Sequence, residues 1–236
     1  MKRVERSWLR YAMGVVAPLL LFCLIPVLTF QRGSAWQFDA SFTAWVHRVS
    51  PASWGPFMKW VSTYSYHNAH FYLIGIVAVL FLLFRRSLAA PLALLAVRWG
   101  ADTAQNWLKN IYDRPRPVLD WVAKQSSGFS YPSGSTTVGA AFCVMLCYLL
   151  STLITDRRYR LAVQILGWYG AVLIAYSRVY LGNHWLTDTM GALCVAAALS
   201  TAVTWLFHSA WLPQLMMPLQ EAPLRQAAAS KQPKER

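Results

Sequence analysis

The chain has 236 residues, 56% of them hydrophobic and 13% charged, with 22 Lys or Arg against 9 Asp or Glu and a net charge of +13. An ordinary soluble domain is about 45–50% apolar and about 25% charged, so neither a soluble globule nor a disordered chain fits. The basic excess does not indicate nucleic acid, because most Lys and Arg residues sit in short clusters between apolar segments, as topology signals do.

The N-terminus carries Lys2, Arg3, Arg6 and Arg10 against Glu5. A basic start before an apolar run has the layout of a secretory leader. Here the run is too long and no small-residue cleavage site is clear, so it reads as a retained first span. Six spans are expected: Ala12–Phe30, about His67–Phe84, Leu88 to about Leu108, Thr136–Ile154, Leu161–Tyr176 and about Met190–Phe207. The first and fourth are uncharged runs longer than the ~18 residues that suffice to cross a bilayer. The third is the least regular, but its Arg98 and Asp102 are four residues apart and can pair on one helix face. Charges at that depth face protein or water rather than lipid.

Gln31–Tyr66 is too polar to cross. Phe38, Phe42, Trp45, Val46 and Val49 recur at helical spacing, which predicts an amphipathic helix in the outer interface, followed by a turn marked by Pro51 and Pro56. Trp36, Trp54 and Trp60 add aromatic weight. A belt that only anchors the protein fits them at least as well as a lipid-guiding surface. The four cysteines lie inside apolar runs and read as buried thiols, not as a disulfide or zinc framework. Residues 209–236 lack periodicity and are expected to form a flexible tail, leaving residues 1–208 as a single transmembrane domain without internal repeats.

Arg85 and Arg86 close the second span, and Arg157, Arg158 and Arg160 separate the fourth from the fifth. Together with the N-terminal cluster and the tail residues Arg225, Lys231, Lys234 and Arg236, they fall on one side if the spans alternate. The positive-inside rule makes that side, and both termini, cytoplasmic. Residues 31–66, 109–135 and 177–189 then lie outside.

The first external segment holds few candidate groups. The other two are dense with them. Residues 109–117 read Lys-Asn-Ile-Tyr-Asp-Arg-Pro-Arg-Pro, residues 132–135 Pro-Ser-Gly-Ser, and residues 177–188 Ser-Arg-Val-Tyr-Leu-Gly-Asn-His-Trp-Leu-Thr-Asp. Lys109, Arg114, Arg116 and Arg178 would concentrate positive charge, and Arg forks match phosphate oxygens. Ser133 and Gly134 precede a span, where helix N-terminal amides favour anions, and Gly134 lets backbone approach a ligand. His184 and Asp188 are one turn apart; a carboxylate on one ring nitrogen fixes the tautomer and leaves the other free to attack. A nucleophile beside a phosphate cradle implies phosphoryl transfer. Taken singly, each cation reads as a snorkelling anchor and the His as an interfacial polar group. The convergence of three segments on one side favours the cradle.

These motifs resemble the type 2 phosphatidic acid phosphatase (PAP2) superfamily, whose pattern is Lys-x6-Arg-Pro, Pro-Ser-Gly-His and Ser-Arg-x5-His-x3-Asp. Lys109 to Arg116-Pro117 fits the first, Pro132-Ser133-Gly134 most of the second, and Ser177-Arg178 through His184 to Asp188 the third. Arg114-Pro115 is a second Arg-Pro, two residues short of the register. The resemblance implies an all-α integral membrane protein with six transmembrane helices, to which the spacing above adds an interfacial helix between the first and second. It implies a hydrolase that needs neither metal nor other cofactor. His184 would be the nucleophile that forms a phosphohistidine, and Asp188 would orient it. Lys109, Arg116, Arg178, Ser133 and the Gly134 amide would hold the phosphoryl oxygens. The implied partner is a lipid phosphate or diphosphate at the outer face of a bacterial inner membrane. Undecaprenyl diphosphate fits cell envelope biogenesis; phosphatidylglycerol phosphate or phosphatidic acid fits phospholipid metabolism; lipid A is a further option. The short Val118–Tyr131 stretch leaves little room for a lid and favours lipid entry sideways between spans.

One position departs from the pattern: Ser135 stands where the family has a general-acid His, a role a Ser hydroxyl cannot fill near neutral pH. An engineered inactivating change, a natural variant using another acid, and a degenerate member that binds without turnover all fit. The intact remainder of the motifs favours the first. Two further alternatives are a lipid phosphotransferase using the same phosphohistidine and a lipid-binding or transport protein that has lost catalysis.

Overall fold

The computed structural model describes residues 2–30, 37–65, 68–85, 88–120, 122 and 127–208. In chain order the helices are α1 (Lys2–Thr29), α2 (Gln37–Val49), a single 3-10 turn (Ala52–Trp54), α3 (Gly55–Tyr64), α4 (Ala69–Arg85), α5 (Ala89–Tyr112), α6 (Gly134–Ser151), α7 (Arg157–Tyr180) and α8 (Leu186–His208). The described residues contain no strand. The expected Trp36, Arg86 and the tail 209–236 lie outside the described residues.

Helices α1 and α4–α8 fall on the six expected apolar segments. Helix α1 starts well before its apolar run because Lys, Arg and Glu propagate a helix about as well as Leu. Among the described residues, three helical stretches are long and apolar enough to cross a membrane: Leu9–Thr29, Gly134–Ser151 and Leu186–Phe207; His70–Phe84 is apolar but shorter. Helices α5 and α7 have 24 residues each, which at ~1.5 Å per residue is about 36 Å, but polar residues interrupt them.

Local chemistry fixes the ends that matter. Helix α5 stops at Asp113, which adopts left-handed φ 45° and donates its N–H to the Lys109 carbonyl at 3.1 Å. Pro115 and Pro117 then prevent continuation. Helix α6 starts after Pro132 with Ser133 as its N-cap, in extended conformation. The Asp156 carboxylate opens α7 by accepting the Arg158 N–H at 2.7 Å.

Helix α6 lies at the centre, packed on α5, α7 and α8, while α1 covers α8, α4 covers α5, and α3 rests on α7. Its seam combines Leu94 and Val97 of α5 with Val138, Ala141 and Met145 of α6. The alanines let the helices approach closely. Outward faces are strongly apolar: Val27, Leu28, Leu83, Phe84, Ile165 and Tyr169 are all exposed, a surface that soluble monomers rarely carry. Buried Arg98 sits 3.8 Å from Asp102 on α5, as its spacing predicts.

Helix α2 differs from expectation in which way it faces. Phe38, Trp45 and Val49 point outward, but Val46 is buried together with Asp39 and Thr43. The inner face rests on α7 and α8. It is therefore a mixed polar and apolar face, and the apolar stripe read from spacing is split between protein and surroundings.

A second core cluster ties the loop before α6 to α1. Fully buried Tyr131 stacks on Phe22 at 5.1 Å, meets Phe30 and Tyr112 edge-on at 5.0 Å each, and donates its hydroxyl to the Phe22 carbonyl at 2.8 Å. Gly191 of α8 makes room for it: a Cβ there would stand 2.5 Å from the Tyr131 ring. Gly191→Ala is expected to lower the thermal midpoint in detergent, with a cost of about 1–3 kcal/mol for overpacking. Gly75→Ala, where a Cβ meets nothing within 4 Å, is expected to cause no loss. An unchanged midpoint for Gly191→Ala would contradict this packing.

Candidate active site

The site forms where α5 and α7 end and α6 and α8 begin. Its foundation is the start of α8, whose first N–H groups have no intrahelical acceptor. The Trp185 N–H donates to Asp188 Oδ2 at 2.9 Å, and the Thr187 N–H donates to Asp39 Oδ1 at 3.0 Å. Two carboxylates thus cap one helix, at the end where its dipole favours negative charge. Both are fully buried.

Arg114 lies between them. Its Nη1 donates to Asp188 Oδ1 at 2.6 Å and its Nη2 to Asp39 Oδ2 at 2.6 Å. The Thr187 hydroxyl donates to Asp39 Oδ2 at 2.6 Å and accepts from Arg114 Nη1 at 2.7 Å. The guanidinium also covers the Phe30 ring at 4.5 Å. Sequence reasoning set Asp39 aside, since it lies in the segment thought to hold few candidates. It groups Arg114 with the phosphate-facing cations, off the motif register; the structure instead engages it with two carboxylates. A carboxylate on the inner side of an otherwise aromatic helix was the available signal.

His184 is buried beside this network. Its Nδ1 is 3.4 Å from Asp188 Oδ2, close but outside hydrogen-bond alignment, and its Nε2 is 2.9 Å from Arg116 Nη1. Arg can only donate, so Nε2 is the acceptor and the ring proton sits on Nδ1, facing Asp188. Burial, reinforced by the Arg178 and Arg116 charges, pushes the imidazole down to about 3 against the opposing pull of Asp188. The ring is therefore neutral near pH 7, with a lone pair on Nε2.

Arg116 belongs to a set of three mutually close cations, with Arg178 and Lys109. Arg116 also donates to the Asn183 carbonyl at 3.0 Å and the Gly128 carbonyl at 3.0 Å. Arg178, at the end of α7, donates to the Ser62 hydroxyl of α3. Lys109 stands half-buried in the last turn of α5. Burial, then the Arg116 and Arg178 charges, lower Lys109 to about 8; burial, then Arg116, lowers Arg178 to about 10. Burial also lowers Arg116. Among the described residues none of the three joins an ion pair, whereas Arg114 joins two.

The first turn of α6 completes the arrangement. The Ser133 N–H donates to the Asp188 carbonyl at 3.2 Å, and its hydroxyl bonds the Thr136 hydroxyl at 2.9 Å. A Cβ on Gly134 would stand 2.6 Å from Gln105 Oε1 and 3.2 Å from Lys109 Nζ. Only glycine lets the polar face of α5 reach the start of α6. Ser135 follows, half-buried, as the second residue of α6. Gln105 escaped the sequence reading, although its position one turn before Lys109 was a signal. The structure brings Lys109, Arg116, Arg178, Ser133, Gly134, His184 and Asp188 to one end of the bundle. Among the described residues no group of three or more His, Cys, Asp or Glu could hold a metal ion. The donors present suit a tetrahedral oxyanion.

A family model described as the PAP2 superfamily matches residues 87–212. Phosphatidylglycerophosphatase B of Bacillus subtilis (strain 168) is 33% identical over 129 residues, which covers 54% of this chain and 62% of that protein. The match thus spans less than two thirds of that relative's length. The crystal structure of the first transmembrane PAP2 type phosphatidylglycerolphosphate phosphatase from Bacillus subtilis has a TM-score of 0.74 at 22% identity, covering 82% of this chain and 96% of that one. The likeness extends to the fold.

Anion binding tests the cation cluster without any assumption about turnover. Inorganic sulfate keeps its charge across the neutral and alkaline range, so the pH dependence of its binding reports the protein. Lys109 is charged below about 8 and neutral above. Sulfate affinity is expected to fall above that pH by up to about tenfold per unit, and Lys109→Arg is expected to remove the fall. Gly134→Ala is expected to weaken sulfate binding at every pH by displacing Gln105 and Lys109. A flat profile to pH 9.5 would show that Lys109 does not face the anion.

Proposed function

Because the chain belongs to the PAP2 superfamily, we propose that it is a membrane lipid phosphatase. It cleaves the terminal phosphate of a lipid phosphate or diphosphate through a phosphohistidine on His184. One observation carries this reading: a neutral, buried His184 whose Nε2 accepts from Arg116 amid cations without carboxylate partners. Nε2 attacks phosphorus and the phosphorus–oxygen bond to the lipid breaks, with the leaving oxygen taking a proton from water that the second step returns. Water then attacks the phosphohistidine, releasing phosphate and restoring the ring. Asp188 stabilises the positive ring that forms on attack. Lys109, Arg116, Arg178 and the α6 N-terminus hold the phosphoryl oxygens as charge builds on them.

The name of the Bacillus subtilis relative supports phosphatidylglycerol phosphate as a substrate alongside undecaprenyl diphosphate and phosphatidic acid. The apolar outer faces of the long helices support a membrane-embedded protein, which we read as six spans in a bacterial inner membrane. In this placement the termini are cytoplasmic, α2 lies at the outer interface, and the site faces outward. The lipid reaches the site sideways between spans.

Ser135 supports a second reading, a member that binds lipid phosphate with little turnover. A missing general acid costs about 10²–10⁴ in rate. An alkoxide leaving group feels that loss fully. A phosphate leaving group, with a second pKa of about 6, feels it much less.

Phosphate release from the two monophosphates in detergent is expected to rise about 10²–10⁴-fold in Ser135→His, release from the diphosphate to rise less, and all three to vanish in His184→Ala. Relative to Ser135→His, the chain with Ser135 is expected to retain more activity on the diphosphate than on the monophosphates. Equal retention would remove the leaving-group argument. Inertness of both proteins on all three lipids would favour the binder.

A further inference from the structure

The contacts of Asp39 exceed what a helix cap requires. Its Oδ1 satisfies the Thr187 N–H, which is the capping role. Its Oδ2 additionally takes the Arg114 guanidinium and the Thr187 hydroxyl, each at 2.6 Å. Arg114 reaches Asp39 and Asp188 at the same distance, 2.6 Å. One positive charge is therefore shared between two buried carboxylates, and only one of these faces His184.

We propose that Asp39, acting through Arg114 and Thr187, is a positioning residue that governs how strongly Asp188 polarises His184. The inference rests on the phosphatase reading for its consequence in turnover, but not for its geometry. With Asp39 charged, Arg114 is half-neutralised and Asp188 keeps negative charge for the His184 Nδ1–H. Without that charge, Arg114 draws fully on Asp188, the imidazole proton is held less strongly, and Nε2 becomes a poorer nucleophile. Asp39 touches none of Lys109, Arg116, Arg178 or Gly134. The phosphoryl-binding side therefore keeps its geometry and feels Asp39 only through Asp188.

The test separates the cradle from the nucleophile. Sulfate probes the cations alone. Orthovanadate, which takes up a fifth ligand as phosphorus does in the transition state, also needs Nε2. Purified full-length Asp39→Asn is expected to bind sulfate within about twofold of its parent, and orthovanadate at least about tenfold more weakly. In the Ser135→His background, kcat is expected to fall about 10–100-fold with KM within twofold, the size found when outer partners of metal-bound histidines are removed. Thr187→Val, which deletes the bridging hydroxyl, is expected to reproduce the loss, and Thr187→Ser to rescue it. This pair carries the test if Asp39→Asn does not fold. Orthovanadate affinity and kcat within twofold of the parent would overturn the proposal. So would parallel losses for sulfate and orthovanadate, which would leave Asp39 a cap alone. If no variant hydrolyses any lipid phosphate, the phosphatase reading fails, while the sulfate and orthovanadate split still decides whether Asp39 positions Asp188.

Discussion

The ion pairs of Arg114 with Asp39 and Asp188 are the constraint on which the site depends. Three charged groups are buried together, two of them fully. Desolvating any one alone would be prohibitive, and removing one partner of such a set is commonly far more damaging than never having had it. Here the costs offset because the carboxylates also cap α8, where backbone N–H groups need acceptors. The same oxygens serve local structure and long-range electrostatics. That economy fixes Asp188 within hydrogen bonds from three directions, and fixes His184 next to it.

The opposite side of His184 is built on the reverse principle. Lys109, Arg116 and Arg178 are brought near one another and, among the described residues, none joins an ion pair; each is held below its ordinary pKa by burial and, for Lys109 and Arg178, by neighbouring charge. The α6 N-terminus adds its own positive end beside Gly134. One half of the site is electrically satisfied before any ligand arrives, and the other half is left wanting an anion. A nucleophilic nitrogen on the boundary gives the asymmetry a direction.

Much of this was legible in the sequence. The six long helices follow from apolar runs punctuated by Pro and basic clusters. The cationic motifs lie at helix ends, where Pro115 and Pro117 stop α5 and Pro132 precedes the start of α6. The pairing of His184 with Asp188 follows from helical spacing. What was not legible depends on tertiary contacts. Nothing in spacing relates Asp39 to Thr187, and Arg114 looked redundant beside Arg116 because a motif register says nothing about a partner outside it. Gln105 was hidden for the same reason: its meaning comes from the absence of a side chain at Gly134. The stripe on α2 was misassigned in part because a helix resting on charged groups presents polar residues to the protein.

The sequence distances inside the network have a consequence for how the protein is made. Thr187 and Asp39 are 148 residues apart, and Arg114 and Asp188 are 74 apart. During synthesis Asp39 emerges first, Arg114 much later, and the α8 capping groups last. Until the final helix is in place, Asp39 and Arg114 have each other but lack the Thr187 groups and the Asp188 carboxylate that complete the set. The loops that close are long, so their closure entropy comes due in one late step. Assembly of the reactive centre is thereby tied to arrival of the last helix, because His184, Thr187 and Asp188 all come with the start of α8.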